Sequence, residues 1–129
     1  MEEKDREIWI GKQRFYFGED NILYVTLVGE IDVKIVIAMK EADLKLRNMV
    51  EKKFDILVDL NKSGKHSPEA RKILQEMSEQ HKTGKIAMFG MHPVARVLSS
   101  FIIGLTRKKD MRFFKTKQKA LAWLKGESS

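Results

Sequence analysis

The spacing of apolar and polar residues changes several times along the chain, and each change marks an element. Ile8 to Phe17 and Ile22 to Val28 are rich in β-branched and aromatic residues, with the turn-type cluster Gly18-Glu19-Asp20-Asn21 between them. That pattern predicts a β-hairpin. The second run shows almost no polar alternation, which suits a strand covered on both faces. From Asp32 the spacing becomes three and four, with Ile35, Met39, Ala42, Leu46 and Met49 in register. This predicts a long amphipathic helix, with Asp32 as the N-cap that accepts from the unpaired first-turn N–H groups.

Phe54 to Leu60 is an apolar run of strand length, followed by Asn61-Lys62-Ser63-Gly64-Lys65-His66, which reads as a loop. Ser67-Pro68-Glu69 then opens a second helix with a serine cap, proline at the first helical position and an acid in the first turn. Its expected buried stripe is Ala70, Ile73, Leu74 and Met77. Gly84 precedes a third core strand, Lys85 to Phe89, and Gly90-Met91-His92-Pro93 turns the chain into a third helix. The apolar positions there are Val94, Val97, Leu98, Phe101, Ile102 and Leu105. Met111 to Phe114 is a short strand, Thr116 caps a last helix carrying Ala120, Leu121, Trp123 and Leu124, and Gly126 stands where a helix C-terminus favours a left-handed residue.

The order β-β-α-β-α-β-α-β-α predicts one α/β domain over residues 1–129. The expected sheet is mixed, mostly parallel and five-stranded, with four helices and one antiparallel strand from the opening hairpin. The third helix is unusually apolar, because Phe101 and Ile103 point away from the Val94/Leu98/Ile102 stripe. It is either deeply buried or a contact surface, such as a homodimer face or the wall of an apolar pocket.

Composition narrows the chemistry. The 129 residues include no cysteine, which excludes disulfides, thiolate metal sites and cysteine nucleophiles. Met1-Glu2-Glu3-Lys4-Asp5-Arg6-Glu7 has neither the basic start nor the apolar stretch of a secretory signal. The longest apolar-rich run, Val94 to Leu105, is broken by Arg96, Ser99 and Ser100 and is shorter than the ~20 residues of a membrane span. A soluble, cytoplasmic protein is expected. The net charge of +7 is unevenly spread: residues 1–60 hold 10 Lys/Arg against 13 Asp/Glu, and residues 61–129 hold 15 against 5. The basic half invites an anionic partner.

Val25-Thr26-Leu27-Val28-Gly29-Glu30-Ile31-Asp32, a long helix, and then Ile56-Leu57-Val58-Asp59-Leu60 together resemble the STAS domain of anti-sigma-factor antagonists. There a strand ending in Gly-Glu-(Leu/Ile)-Asp leads into a helix, and a strand ending in Val-Asp-Leu leads into the functional loop. Phe113-Phe114-Lys115-Thr116 followed by Ala120-Leu121-Ala122-Trp123-Leu124 resembles the SpoIIAA-like branch more specifically. The resemblance covers nearly the whole chain. It implies a non-enzymatic regulatory or ligand-binding module, and the fold likeness of that branch to the lipid-binding SEC14 type adds small-ligand binding. The family's kinase target, Asp-Ser-Ser-Gly or a close variant, is replaced here by His66-Ser67-Pro68-Glu69, so that the position of the phosphorylated serine falls on Pro68. The family's phospho-switch is therefore not expected to transfer as it stands.

In a parallel α/β sheet the ligand crevice lies outside the carboxyl ends of the strands. The candidate ligand or partner site is accordingly Lys62, Ser63, Gly64, Lys65, His66, Ser67 and His92, near Gly29-Glu30 and Lys115-Thr116, with Ser63 and Ser67 as candidate phosphorylation sites. The Gly64-Lys65 pair is not a P-loop. His66 and His92 end neighbouring strands, and with Asp59 or Glu30 either could serve as a general base, the enzyme alternative. A Ser67-His66-Asp59 triad lacks a nucleophile elbow. His81 is expected near a helix C-terminus. Arg107, Lys108, Lys109 and Arg112 could contact an anionic membrane surface, the peripheral-binding alternative. Helix-turn-helix, zinc-finger and aromatic-interleaved RNA motifs are missing, so no specific nucleic acid is expected. The expected partner is a protein or a small molecule, with a homodimer possible, and no metal or cofactor is implied.

Overall fold

In the computed structural model, which describes residues 6–80, 82–105 and 110–126, the chain opens with three strands where two were expected. β1 (Glu7–Ile10) and β2 (Gln13–Phe17) are separate strands joined by the two-residue turn Gly11-Lys12. Only Gly11 of that turn has a positive φ, 60°, at the position a tight hairpin assigns to glycine. The apolar run beginning at Ile8 thus folds back on itself, and β2 pairs antiparallel with β3 (Ile22–Ile31).

After β3 come α1 (Val33–Arg47), β4 (Phe54–His66), α2 (Pro68–Ser78), β5 (Thr83–Phe89), α3 (Pro93–Leu105), β6 (Met111–Phe114) and α4 (Lys117–Leu124). The six strands lie in chain order across one sheet. β1/β2 and β2/β3 are antiparallel, whereas β3/β4, β4/β5 and β5/β6 are parallel. The expected five strands are therefore six, with two antiparallel pairings, and β2 alone runs against the other five as the expected single antiparallel strand.

The second correction concerns Asn61 to His66, which is strand and not loop. β3 runs on to Ile31 and offers backbone partners to this turn-rich segment, pairing Val28 with Lys62, Gly29 with Ser63, and Ile31 with His66. Between Asp59 and Lys62, and again between Ser63 and His66, β4 spends one residue more than β3. These bulges let a sequence of poor strand propensity follow its neighbour. Gly64 lies against β3 so closely that a Cβ there would stand 3.0 Å from the Gly29 carbonyl carbon.

Side chains alternate across the sheet and build two layers of core. Phe15, Leu23, Leu27, Ile56, Leu60 and Met88 are among those that pack against α1, α2 and α3 on one face. Ile22, Leu57, Ala87 and Phe89 face the other way and meet Ala120 and Leu124 of α4. The predicted caps form: Asp32, Ser67 and Thr116 each accept from the backbone N–H three residues on. Among the described side chains of α3, which do not include Phe101 and Leu105, Ala95, Leu98, Ser99 and Ile102 are buried while Val94 and Val97 face outward, which turns the helix relative to the expected stripe. Met49 lies past the end of α1 and is exposed. Arg47, in contrast, is 2% exposed, beneath Phe54 with its guanidinium 4.8 Å from the ring centroid and bonded to Asp43 and Thr83 Oγ1. No described helix is long and apolar enough to cross a membrane.

Candidate functional site

The carboxyl ends of β3, β4 and β5 and the first turns of α1, α2 and α3 share one rim, because each parallel strand leads into its helix there. The rim is tied together by backbone and amide bonds. Ser67 N–H donates to the Ile31 carbonyl at 3.2 Å. Asn61 N–H donates to Asp59 Oδ1 at 2.9 Å, and Asn61 Oδ1 accepts from Met91 N–H at 3.1 Å.

Within this frame the sequence-derived residues separate into buried and exposed sets. Ser63 and His66 turn inward, at 5% and 6% exposure, and Ser63 Oγ lies 3.0 Å from His66 Nε2. The other ring nitrogen of His66, Nδ1, is buried without a hydrogen-bond partner. Burial, reinforced by the Arg71 guanidinium charge, pushes the imidazole pKa down to about 4, so the ring is neutral at physiological pH. Ser67 spends its hydroxyl on the Ala70 N–H, at 3.1 Å. Lys62 and Lys65 point outward and Gly64 is half-buried between them.

His92 is held at both nitrogens. Nδ1 accepts from Ala95 N–H at 3.3 Å, which leaves the proton on Nε2 to donate to the Leu60 carbonyl at 2.7 Å. It therefore joins β4 to the first turn of α3 and has no nitrogen left for proton transfer in this arrangement. Asp59 bonds Asn61 and Glu30 is exposed, so neither carboxylate orients a histidine. Among the described residues no three His, Asp or Glu side chains gather as a metal would need.

The N-terminal turns of α1 and α3 at this rim also expose apolar side chains: Val33 and Ile37 from α1, and Met91, Val94 and Val97 at α3. Met91 is 75% exposed and Val97 56%. Of the basic cluster, Arg112 stacks 5.4 Å over the Trp123 ring, while Arg107, Lys108 and Lys109, like His81, lie outside the described residues.

A second concavity, which the sequence did not single out, occupies the sheet face that α4 covers only in part. It is a cleft of about 540 Å³ whose floor includes Arg14, Tyr16, Tyr24, Thr26 and Asp59, with Lys117 at its side. The available signal was indirect: this face has a single eight-residue helix to cover it, so the outward aromatics of β2 and β3 had to remain open.

Comparison with known proteins gives the fold a lineage. Residues 16–127 match the model of a domain of unknown function, DUF7793, and the chain belongs to that family. No curated protein matches it. Among solved structures, an anti-sigma factor antagonist from Mycobacterium paratuberculosis superposes with a TM-score of 0.67 at 21% identity, covering 88% of this chain and 93% of that one. An uncharacterised DUF3478-family protein with a SpoIIAA-like fold from Shewanella loihica PV-4 gives 0.65 at 17% identity, covering 87% and 91%. The anti-sigma factor antagonist SpoIIAA in its unphosphorylated form gives 0.60 at 13% identity, covering 88% and 98%. The chain thus has a SpoIIAA-like fold.

Proposed function

We propose that this DUF7793 member is a non-enzymatic regulatory module that binds a partner protein through the carboxyl rim of its sheet. The observation that carries the reading is the exposed apolar set Val33, Ile37, Met91, Val94 and Val97 beside Lys62 and Lys65. Large apolar side chains concentrated at one rim among cations are what a protein interface buries. The likeness in fold to proteins described as anti-sigma factor antagonists supports a regulatory role of this kind. The histidines favour it over the enzyme reading, since His92 is spent on a helix start and His66 is a buried, weakly basic ring.

The binding surface in this proposal is Lys62, Gly64 and Lys65 with the apolar rim, and Ser63, His66 and His92 shape it from beneath. Ser67, half-exposed at the start of α2, is the serine a kinase could reach, whereas Ser63 is shut in by its bond to His66. Intact-mass measurement of protein from its native host tests modification. For the interface, cross-linking in the native host followed by identification of the linked protein should give a defined partner with the wild-type chain. A Met91→Glu, Val97→Glu double variant with an unchanged melting temperature should lose it. The same cross-link from both proteins would remove the rim from consideration.

A further inference from the structure

Positive charge collects on one side of the molecule and is not neutralised there. Across residues 82–105 and 110–126, which build β5, α3, β6 and α4, eight lysines and arginines stand against one acid, Asp110. Four of them are exposed on or beside β6 and α4: Arg112, Lys115, Lys119 and Lys125. None of the four makes an ion pair among the described residues.

The cations fall at both ends of α4. At its start Lys115 and Lys119 flank the Thr116 cap, whose Oγ1 accepts from Lys119 N–H at 3.3 Å, and the first turn holds no acid. Acids are the residues that the positive end of a helix dipole favours, so the fold itself leaves this charge unrelieved. At the other end Arg112 crosses from β6 to lie 5.4 Å from the Trp123 ring centroid, and Lys125 follows the helix. Lys85 lies 5.3 Å from the same ring and donates to the Trp123 carbonyl. The bordering carboxylates are Asp110, just before β6, and Asp55, whose Oδ1 accepts from Lys85 N–H at 2.8 Å. The eight residues of α4 hold the two groups about 12 Å apart.

The rest of this face narrows the partner. Among the described residues, every exposed large apolar side chain lies on β1, on or just past α1, or at the start of α3, and none on β6 or α4. α4 turns Ala120 and Leu124 to the sheet, so it has no apolar side to lay into a bilayer and no apolar centre for a protein interface. Trp123 already carries Lys85, Arg112 and, at 5.7 Å, Phe114, so it offers no open ring plane to an unpaired base. What remains is cations at intervals, which a phosphate backbone needs, and about 12 Å spans three to four base-pair steps of a duplex.

We propose that the β6–α4 face binds the phosphate backbone of duplex DNA without reading its sequence. The backbone lies along α4, its phosphates meeting Lys115 and Lys119 at one end and Arg112 and Lys125 at the other. The commitment is to DNA because, apart from Gln118, the face exposes no neutral hydrogen-bonding side chain for the 2′-hydroxyl that marks RNA. The surface lies across the sheet from α1, α2 and α3 and uses none of the residues assigned to the partner-protein rim.

Fluorescence anisotropy of the full chain with two labelled duplexes of unrelated sequence, each of ~24 bp, tests this between about 50 and 200 mM NaCl. Both should bind alike, with a Kd of ~100 µM or tighter at the lower salt and a slope of log affinity on log salt of roughly −3 to −4 for four phosphates. The Lys115→Gln, Lys119→Gln variant should bind at least ~10-fold more weakly and lower the slope by about 2, with an unchanged melting temperature. Lys34→Gln, Lys45→Gln, which removes the same charge from the exposed side of α1, should bind as the wild type does. The proposal is overturned if neither duplex binds at ~100 µM protein in the lower salt, if the affinity does not change with salt, or if the α1 variant loses as much as the α4 variant. Tighter binding of single-stranded DNA or of duplex RNA also overturns it, as does cosedimentation with phosphatidylserine vesicles without duplex binding.

Discussion

Ser63 Oγ and His66 Nε2 stand 3.0 Å apart across the second bulge of β4, where β4 spends three residues against two of β3. The bond closes the bulge from inside, and it places an imidazole where water cannot solvate its charge. An unfolded chain protonates this histidine near pH 6.5, but the fold only near pH 4. The unfolded state therefore takes up the proton first as the pH falls. The stability contributed by the neutral ring is fully present above pH 6.5 and is lost on acidification to about 4, by roughly 3 kcal/mol. Urea unfolding at pH 7 and pH 4 should show His66→Gln losing less stability than wild type by about that amount. Equal losses in the two proteins would mean that His66 is not the titrating group.

Arg47 and Asp43 form a buried i,i+4 pair on α1 with N–O distances of 3.3 Å. Burial raises the Asp43 pKa against the pull of Arg47, which shows that desolvation outweighs the pairing for the carboxylate. Removing one member strands the other, so Asp43→Leu alone should cost roughly 3–5 kcal/mol. The double variant Asp43→Leu, Arg47→Met should recover most of it. Denaturant midpoints of both proteins measure this, and additive losses would contradict it.

Gly64 and Gly104 should respond to alanine with opposite signs. At Gly64 the new methyl would meet Gly29 and Glu30 backbone at 3.0 to 3.2 Å, and backbone cannot swing aside. A loss of roughly 1–3 kcal/mol is expected from such overpacking. Gly104 lies in α3 with nothing within 4 Å of a Cβ, so Gly104→Ala should stabilise by up to ~1 kcal/mol through backbone entropy. Thermal melts of the two variants would decide it.

Ser67 caps α2 in front of Pro68, and Ser67→Ala should cost about 1 kcal/mol. Ser67→Asp should keep the wild-type stability, because a carboxylate accepts from the same Ala70 N–H and complements the helix dipole. If the Ser67→Asp protein melted as low as the Ser67→Ala protein, the cap would not depend on that hydrogen bond.

The sheet, its helices and their caps were legible because they rest on local signals. Asp32, Ser67 and Thr116 announce helix starts by side-chain chemistry that acts within three residues. The residue set of the rim was legible too, since parallel connection puts every strand's carboxyl end on one side. Its internal arrangement was not. Nothing in Asn61 to His66 alone indicates a strand, because the partner that makes it one, Val28 to Ile31, is thirty-odd residues away. For the same reason the candidate serines and histidines could be named but not assigned to surface or interior. Gly11-Lys12 did signal a turn in composition, but the apolar residues on either side concealed it within one run.

By itself, then, the sequence determined most element types, the order of the α/β alternation and the edge where the strands' carboxyl ends meet the helix starts, all of which follow from periodicity, capping and chirality. Only the tertiary structure decided that β4 continues through its bulges, that Ser63 and His66 face inward while Met91 and Val97 face out, and that Arg14, Tyr16, Tyr24, Asp59 and Lys117 converge on one open face. Those outcomes depend on which strands lie side by side and how far a short α4 reaches, relations between segments distant in the chain that no local pattern encodes.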